Sequence, residues 1–440
     1  MCGFAGFFTN GWDGNREAVI RDMANRIRHR GPDQDDYYVD ADIAMGFRRL
    51  SIIDLEGGSQ PILNEDGTKV LTFNGEIYNF QELRRELLEA GHVFKTSTDS
   101  EVLLHGYEEW GEDVLQRLRG MFAFVIWDST EKKLFGARDI FGIKPFYYYR
   151  HNGDFFYASE IKSFLPHPRF VKEFNEERLP EYLCYEYIPN EETMFRHVYK
   201  LLGGHCFTYQ NGKLSIRQYN EIAYHIDEKP TLEEWEQRIT DAFSESVLAH
   251  KIADVEVGCF LSSGVDSSYV VKEVSKTADG IKTFSVGYQE EKYSELPYAQ
   301  DFSRAVGVPN ISNKVSADDF FGAASIIQYY LDEPMPNPSE IPLYFLAQNA
   351  AKYVKVVLSG EGADELFGGY ITYHTTKPYR AYRKLPMPIR KAVAAGVSKL
   401  PYFHGQGFLT SAAQRVEDTF VGQAFIFNNE EAQRVLKPKY

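Results

Sequence analysis

The stretch VEVGCFLSSGVDSSYVVKEVSK, Val255 to Lys276, reads as an apolar strand, a turn of small residues and then a helix. A helical pattern from about Leu232 precedes it, and IKTFSVGY (Ile281 to Tyr288) and YVKVVLSGEGADELFGGY (Tyr353 to Tyr370) supply further strands after it. Strands alternating with helices imply parallel β-α-β units in an α/β domain, with ligands at the carboxyl ends of the strands. Toward the amino terminus the alternation stops at EIAYHIDEKPTLEEW, Glu221 to Trp235, a polar connector containing a proline. Two domains are therefore expected, residues 1–220 and residues 230–440.

The first half has a different rhythm. KVLTFNG, MFAFVIWDS, KLFGARD and FYYYRHNGDFFYAS alternate apolar or aromatic runs with turn residues, the pattern of antiparallel strands and hairpins. Two helices are expected to interrupt it. One runs from Arg16 to His29 with Ile20, Met23, Ala24 and Ile27 on one face, the other from Gln81 to Ala90 with Leu83, Leu87 and Leu88 inward. An α+β sandwich of antiparallel sheets with helices outside is the natural packing.

Composition narrows the partners. At 440 residues the chain exceeds one compact core, and 43% hydrophobic with 25% charged residues is globular rather than disordered. The 63 acidic against 48 basic residues give a net charge of −15, which repels polyanions, so no nucleic acid is expected. No apolar run approaches the roughly 20 residues of a membrane span, and the start lacks a signal-peptide pattern, so a cytoplasmic protein with no membrane contact is expected. Cys2, Cys184, Cys206 and Cys259 show no C-x-x-C spacing; neither a disulfide scaffold nor a zinc site follows, and the last three read as core filler.

Cys2 is different because it stands one processing step from the chain start, in MCGFAGFF. With Met1 removed, its α-amine, with an ordinary pKa of about 7.7–8.0, would sit beside its own thiol, so that one residue supplies nucleophile and base. Farther on, Asn74 and the Gly75 N–H in NGEIYN could form an oxyanion hole, although Asn-Gly is also a favoured hairpin turn. RRLSII, Arg48 to Ile53, offers an arginine fork for a carboxylate, and Glu76 and Asp99 are candidate partners for an ammonium; each could equally be a solvated charge.

MCGFAG, RHRGPD (Arg28 to Asp33), RRLSIIDLEGGSQP, FNGEIYN, STDSE and RDIFGIKP occur in this order and closely resemble the glutaminase domain of the glutamine-dependent asparagine synthetases, class II amidotransferases with an N-terminal nucleophile. The resemblance implies an N-terminal-nucleophile hydrolase sandwich. It also implies that Cys2 attacks the side-chain amide of glutamine, releasing ammonia and leaving glutamate, and that Asn74 and Gly75 stabilise the oxyanion. Arg49, Asn74, Glu76 and Asp99 would hold the amino-acid end, with backbone groups of Leu50, Ser51, Ile52 and Ile53 contributing.

In CFLSSGVDSS, Cys259 to Ser268, a strand ends in a turn that opens a helix, where N–H groups and the hydroxyls of Ser262, Ser263, Ser267 and Ser268 favour anions. Asp266 could hold Mg²⁺, and no Walker string is present; a serine-capped helix start is the plainer alternative. The string resembles the S-G-G-x-D-S loop of ATP pyrophosphatases, with Ser263 in place of the second residue, usually glycine. A serine there would carry strain if the backbone needed positive φ. SGEGADELFGGY, Ser359 to Tyr370, also matches the synthetases. The resemblance puts Leu261, Ser262, Gly264, Asp266, Ser267, Val286, Gly287, Ser359 and Gly360 at ATP and Glu361 near an activated aspartyl group, and implies ATP and Mg²⁺ as cofactors, glutamine and aspartate as substrates, and room for a homodimer.

The family's later G-x-E-x-R-x-P-F-L-D pattern and phosphate-approaching lysine are not in this sequence, so the second domain is expected to be incomplete, ending abruptly at VLKPKY. KPYRAYRKLPMPIRK reads as a partly solvated helix broken at Pro386 and Pro388, or as a basic patch. Two rival functions stand beside asparagine synthesis. One is an amidotransferase for another carboxylate acceptor, the other a nucleotide-binding homologue without synthetase activity.

Overall fold

The computed structural model describes all residues except 10, 278–279, 336, 374, 402, 416–425, 428 and 438–440, so the last three letters of VLKPKY lie outside the described residues. The first half contains strands β1 (Gly3–Phe8), β2 (Gln34–Val39), β3 (Ile43–Arg49), β4 (Ile62–Leu63), β5 (Lys69–Ile77), β6 (Gly120–Asp128), β7 (Lys133–Arg138), β8 (Tyr147–His151), β9 (Asp154–Ala158), β10 (Val198–Lys200), β11 (His205–Gln210) and β12 (Lys213–Gln218). They form two antiparallel sheets, ordered β10-β8-β9-β1-β3-β2 and β12-β11-β7-β6-β5-β4. Helices α1 (Arg16–Asn25), α2 (Phe80–Ala90) and α3 (Asp99–Trp110) belong to the same half.

The sandwich follows from side-chain alternation. In β1, Phe4 points into the layer between the sheets with Met45, Val70, Val125 and Trp127, while Ala5 and Phe7 point outward to Ile20 and Met23 of α1. In β5, Val70 faces the inter-sheet layer, and Leu71 and Phe73 face Leu83, Leu87 and Leu103 of α2 and α3. Trp127, Phe4 and Phe124 are fully buried, and truncating such a ring costs about 3–5 kcal/mol.

Three sequence expectations need correction. The first helix stops at Asn25 and continues only as turns toward Arg30. Leu88 faces solvent at 51% exposure, so α2 buries Phe80, Leu83 and Leu87 instead. The expected two helices are joined by a third, α3, whose residues from Asp99 to Tyr107 are all buried. A helix enclosed on every side has no polar face, so its sequence lacks the period that reveals helices.

After the exposed connector, Thr231 and Glu234 form a reciprocal capping box that starts α5 (Leu232–Ala249). There follow β13 (Val257–Phe260), α6 (Val265–Ser275), β14 (Thr283–Tyr288), α7 (Leu296–Val306), β15 (Asn310–Val315), α8 (Ala317–Leu331), α9 (Glu340–Ala350) and β16 (Val356–Leu358). The four strands form a parallel sheet, β15-β14-β13-β16, covered on one face by Val247, Val270, Val274 and Ala299 and on the other by Ala350 and Val354. Covering both faces is what makes a parallel sheet's strands apolar throughout.

The chain forms two compact units, one of residues 1–178 and 189–359, the other of residues 179–188 and 360–440. The second contains α4 (Leu179–Tyr185), α10 (Ala363–Phe367), α11 (Lys377–Arg383), α12 (Met387–Val397), α13 (Gln406–Ser411) and α14 (Asn429–Val435). Pro386 separates α11 from α12, whereas Pro388 sits in the first turn of α12, where a missing N–H costs nothing. Among the described residues no helix is long and apolar enough to cross a membrane.

Candidate active site

The register of β1 against β3, with Gly3 opposite Arg48, carries Cys2 alongside the residues that leave β3. There the Cys2 thiol donates to the Leu50 carbonyl at 3.5 Å and accepts from the Leu50 N–H at 3.3 Å. Arg30 holds the same residue from the other side, its Nε donating to the Cys2 carbonyl at 2.9 Å. Close packing of RHRGPD on β3 explains its glycine, since a Cβ on Gly31 would lie 2.2 Å from the Arg48 carbonyl carbon. Asp33 then accepts from the Ser51 N–H at 2.9 Å and from Lys355 Nζ at 2.5 Å.

Burial raises the Cys2 thiol pKa, against the opposing Leu50 N–H. Burial also lowers the amine of the chain start, on Met1, to about 6, so this pocket favours a neutral amine. Lys144, whose Nζ donates to Met1 Sδ at 3.3 Å, is likewise lowered by burial.

Asn74 and Gly75 lie inside β5, not at a hairpin turn, which removes the turn reading. Asn74 is 1% exposed, and its Nδ2 has no hydrogen-bond partner among the described residues. A buried donor left unpaired costs about 1–3 kcal/mol, the signature of a group held for something that arrives later. Gly75 is forced by its neighbour strand, where a Cβ would meet the Met121 carbonyl at 2.4 Å. Glu76 and Asp99 both sit above the ordinary carboxylate range: burial raises each, and Asp99 raises Glu76 further. Asp99 opens α3, capped by Thr98, and accepts from the Ile77 N–H at 2.9 Å.

Arg49 is spent locally. Its guanidinium donates to the carbonyls of Ile53, Asp54 and Leu55 and to Gln34, bracing the loop that presents Leu50 to Cys2. The Ile52 carbonyl accepts from the Asp254 N–H at 2.9 Å, and Ser51 is buried.

Sequence reading missed a buried charge ladder behind the nucleophile. Arg30 Nη1 and His29 Nε2 meet Glu160 Oε1 at 2.9 and 3.0 Å. Lys162 pairs with Glu160 and, at 3.0 Å, with Asp332, whose other oxygen accepts from the Ile161 N–H at 2.7 Å. Burial works to raise the Glu160 carboxyl, but His29, Arg30 and Lys162 overcome it and hold it at about 2. RHRGPD supplied the only sequence signal for this ladder, since its other members are far along the chain.

The second cluster of expected residues lies at the carboxyl end of the parallel sheet. Leu261 to Gly264 connect β13 to α6, and the register Cys259 to Leu358 sets the ends of β13 and β16, hence Ser359, side by side. Ser262 Oγ and Ser267 Oγ are 2.9 Å apart, the Gly264 N–H donates to Ser262 Oγ at 3.1 Å, and Ser268 Oγ donates to the Gly264 carbonyl at 2.8 Å. Ser263 has no positive φ, so the feared strain does not arise. Instead its N–H and Oγ both donate to one carboxylate oxygen of Glu295, at 3.3 and 2.7 Å. Asp266 is half-exposed in the first turn of α6, with no hydrogen bond from the described residues. Leu261 is buried, and Val286 and Gly287 lie near the end of β14. Gly360 and Glu361 fall in the second unit, where Glu361 is exposed ahead of α10.

Two family models match the chain. A glutamine amidotransferase domain model matches residues 1–220 and an asparagine synthase model matches residues 238–435. The chain is 39% identical over 445 residues to asparagine synthetase [glutamine-hydrolyzing] 1 of Bacillus subtilis, covering 99% of this chain and 70% of that protein. It is 38% identical over 438 residues to a putative asparagine synthetase [glutamine-hydrolyzing] of Mycobacterium tuberculosis, covering 95% of this chain and 67% of that one. Among solved structures, glutamine phosphoribosylpyrophosphate amidotransferase from B. subtilis aligns over 71% of this chain and 65% of its own, at 15% identity and a TM-score of 0.38.

Proposed function

Because the chain belongs to the glutamine-hydrolysing asparagine synthetase family, we propose that it amidates aspartate to asparagine with ATP, taking nitrogen from glutamine hydrolysed at Cys2. The observation that carries this is a thiol next to the chain start, held by Leu50, in the same chain as a serine loop between a parallel strand and a helix.

With Met1 removed, the neutral amine of Cys2 takes the thiol proton, and the thiolate attacks the side-chain amide carbon of glutamine. Asn74 Nδ2 and the Gly75 N–H stabilise the oxyanion; the C–N bond breaks, ammonia leaves with the proton, and water releases glutamate from the thioester. The buried carboxylates Glu76 and Asp99 suit the ammonium of glutamine, which would relieve their mutual repulsion. Arg49, by exchanging some of its bonds to Gln34 and the Ile53–Leu55 carbonyls, and the backbone from Leu50 to Ile53 take the carboxylate end.

In the second reaction the aspartate side chain attacks the α-phosphorus of ATP, pyrophosphate departs, and ammonia displaces AMP from the acyl adenylate. Ser262, Gly264 and Ser267 are the phosphate-side groups, and Leu261, Val286 and Gly287 the adenosine side. For Ser359 and Gly360 at ATP, and for Glu361 near the acyl group, the support is the family match of SGEGADELFGGY. The free, half-exposed carboxylate of Asp266 fits a Mg²⁺ ion, which when bound would offset phosphate charge.

Residues 1–220 form the glutaminase domain and residues 230–440 the synthetase domain in this reading. We place the protein in the cytoplasm and give nucleic acid no role, the latter in accord with the net charge of −15. The deciding assay supplies glutamine, ATP and labelled aspartate to the full chain and measures glutamate, pyrophosphate and asparagine. All three are expected together; pyrophosphate that needs a different acceptor, or no product at all, refutes asparagine synthesis by this chain.

A further inference from the structure

Away from both sites, Glu65, His92, His105 and Glu108 bring one ligand atom each into a group whose members all lie within 4.8 Å of one another. Glu65 comes from the turn between β4 and β5, His92 from just beyond α2, and His105 and Glu108 from successive turns of α3. His105 Nδ1 is the hub, 2.9 Å from Glu108 Oε2 and 3.4 Å from Glu65 Oε2. His92 Nδ1 lies 3.6 Å from Glu65 Oε1, and the two rings are 5.0 Å apart.

Two of the carboxylate oxygens are already fixed. Glu65 Oε1 accepts from the Val93 N–H at 3.1 Å, and Glu108 Oε1 accepts from Asn64 Nδ2 at 2.6 Å. Each imidazole turns its other nitrogen to an outer carboxylate: His105 Nε2 is 3.5 Å from Glu101, and His92 Nε2 is 3.4 Å from Glu109. Glu101 is itself anchored by the N–H groups of Lys95 and Thr96, at 2.7 Å each. Both imidazoles aim Nδ1 inward with a carboxylate beyond Nε2, hydrogen-bonded at His92 and 3.5 Å away without a hydrogen bond at His105, and outer carboxylates of this kind orient metal ligands. A tetrahedral shell with ~2.1 Å bonds requires donor separations of about 3.4 Å, so on binding an ion the 2.9 Å pair would open and the wider pairs, which reach no farther than 4.8 Å, would close.

We propose that Glu65, His92, His105 and Glu108 form a structural site for a divalent transition metal, Zn²⁺ by its nitrogen and oxygen donors, that staples the β4–β5 turn and the end of α2 to α3. Glu65, 35% exposed, leaves a route for the ion to enter. The ordinary rival is a pair of imidazolium ions neutralised by the same carboxylates, with no metal.

The test uses the full chain carrying Cys2→Ala, so that the reactive thiol cannot bind the probe. The protein is incubated with Zn²⁺, freed of excess by gel filtration and assayed for metal; Co²⁺ is added separately and its visible d–d absorption recorded. One Zn²⁺ per chain and a tetrahedral Co²⁺ band are expected, both lowered at least tenfold by His92→Gln and by Glu108→Gln. These two side chains lie toward the surface, and circular dichroism checks that both variants fold. Failure to retain Zn²⁺, or retention unchanged in folded His92→Gln, overturns the site and leaves the ion-pair network.

Discussion

Near Cys2 the Asn74 amide is buried and its Nδ2 finds no partner among the described residues, whereas the hydroxyls of the serine loop already bond to neighbouring groups. The unpaired Asn74 Nδ2 and the neighbouring carboxylates Glu76 and Asp99 carry a standing cost that glutamine would remove. The loop after β13 carries no such cost: Ser262, Ser267 and Ser268 bond among themselves and to Gly264, and Ser263 bonds to Glu295. The first site is preorganised in a low-dielectric interior, where fixed dipoles act strongly. On the proposed reading the second exchanges existing hydrogen bonds for phosphate oxygens.

The sharpest way to break this comparison is Cys2→Ala. Glutamine-dependent asparagine formation should vanish while ammonia-dependent formation continues at the untouched loop; glutaminase activity surviving in purified Cys2→Ala would end the assignment. Lys162→Met comes next, because it leaves Glu160 and Asp332 buried without their ammonium. A loss of about 3–5 kcal/mol in denaturant unfolding is expected, and a loss below 1 kcal/mol would show the ladder to be solvated. Asn74→Ala should lower glutaminase kcat about 10²–10³-fold with little change in the KM for glutamine, the split expected of an oxyanion donor; a change in that KM alone would argue for ground-state binding.

A pH profile gives a smaller but well-signed effect. The amine must be neutral to act as base, so glutaminase kcat/KM should rise with pH through the amine pKa. Burial lowers the chain-start amine on Met1, and the same burial should place the acid limb of the Cys2 amine below the 7.7–8.0 or so of a free α-amine. An acid limb at 8 would count against the buried-amine base. Least of all, Glu295→Gln replaces a charged acceptor at Ser263 by a neutral one, a difference of about 1 kcal/mol, and should lower the KM for ATP about fivefold. A raised KM would instead make Glu295 part of the nucleotide site.

Much of this architecture was legible because its signals are local. The strand, small-residue turn and helix of CFLSSGVDSSYVV, and the alternating runs of the sandwich, fold as their periods dictate. Where local rules misled, the surroundings had taken over. Asn74-Gly75 has turn chemistry but is held straight by β6, and α3 hides its period because every side is packed. Glu295 reaches Ser263 from 32 residues away, and Arg30 meets Glu160 across 130, distances at which no periodicity or motif spacing operates. Arg49 was recognisable as a fork, yet its partners here are carbonyls of its own loop.

The bond from the Ile161 N–H to Asp332 spans 171 residues. A growing polypeptide therefore exposes Glu160 and Lys162 long before the ribosome has made the anion that completes their set. Until then Lys162 has one carboxylate where the finished protein gives it two, and the support behind Arg30 and Cys2 is looser. Order of synthesis is thus written into the nitrogen-releasing half, whose rear brace is made after all of its own strands.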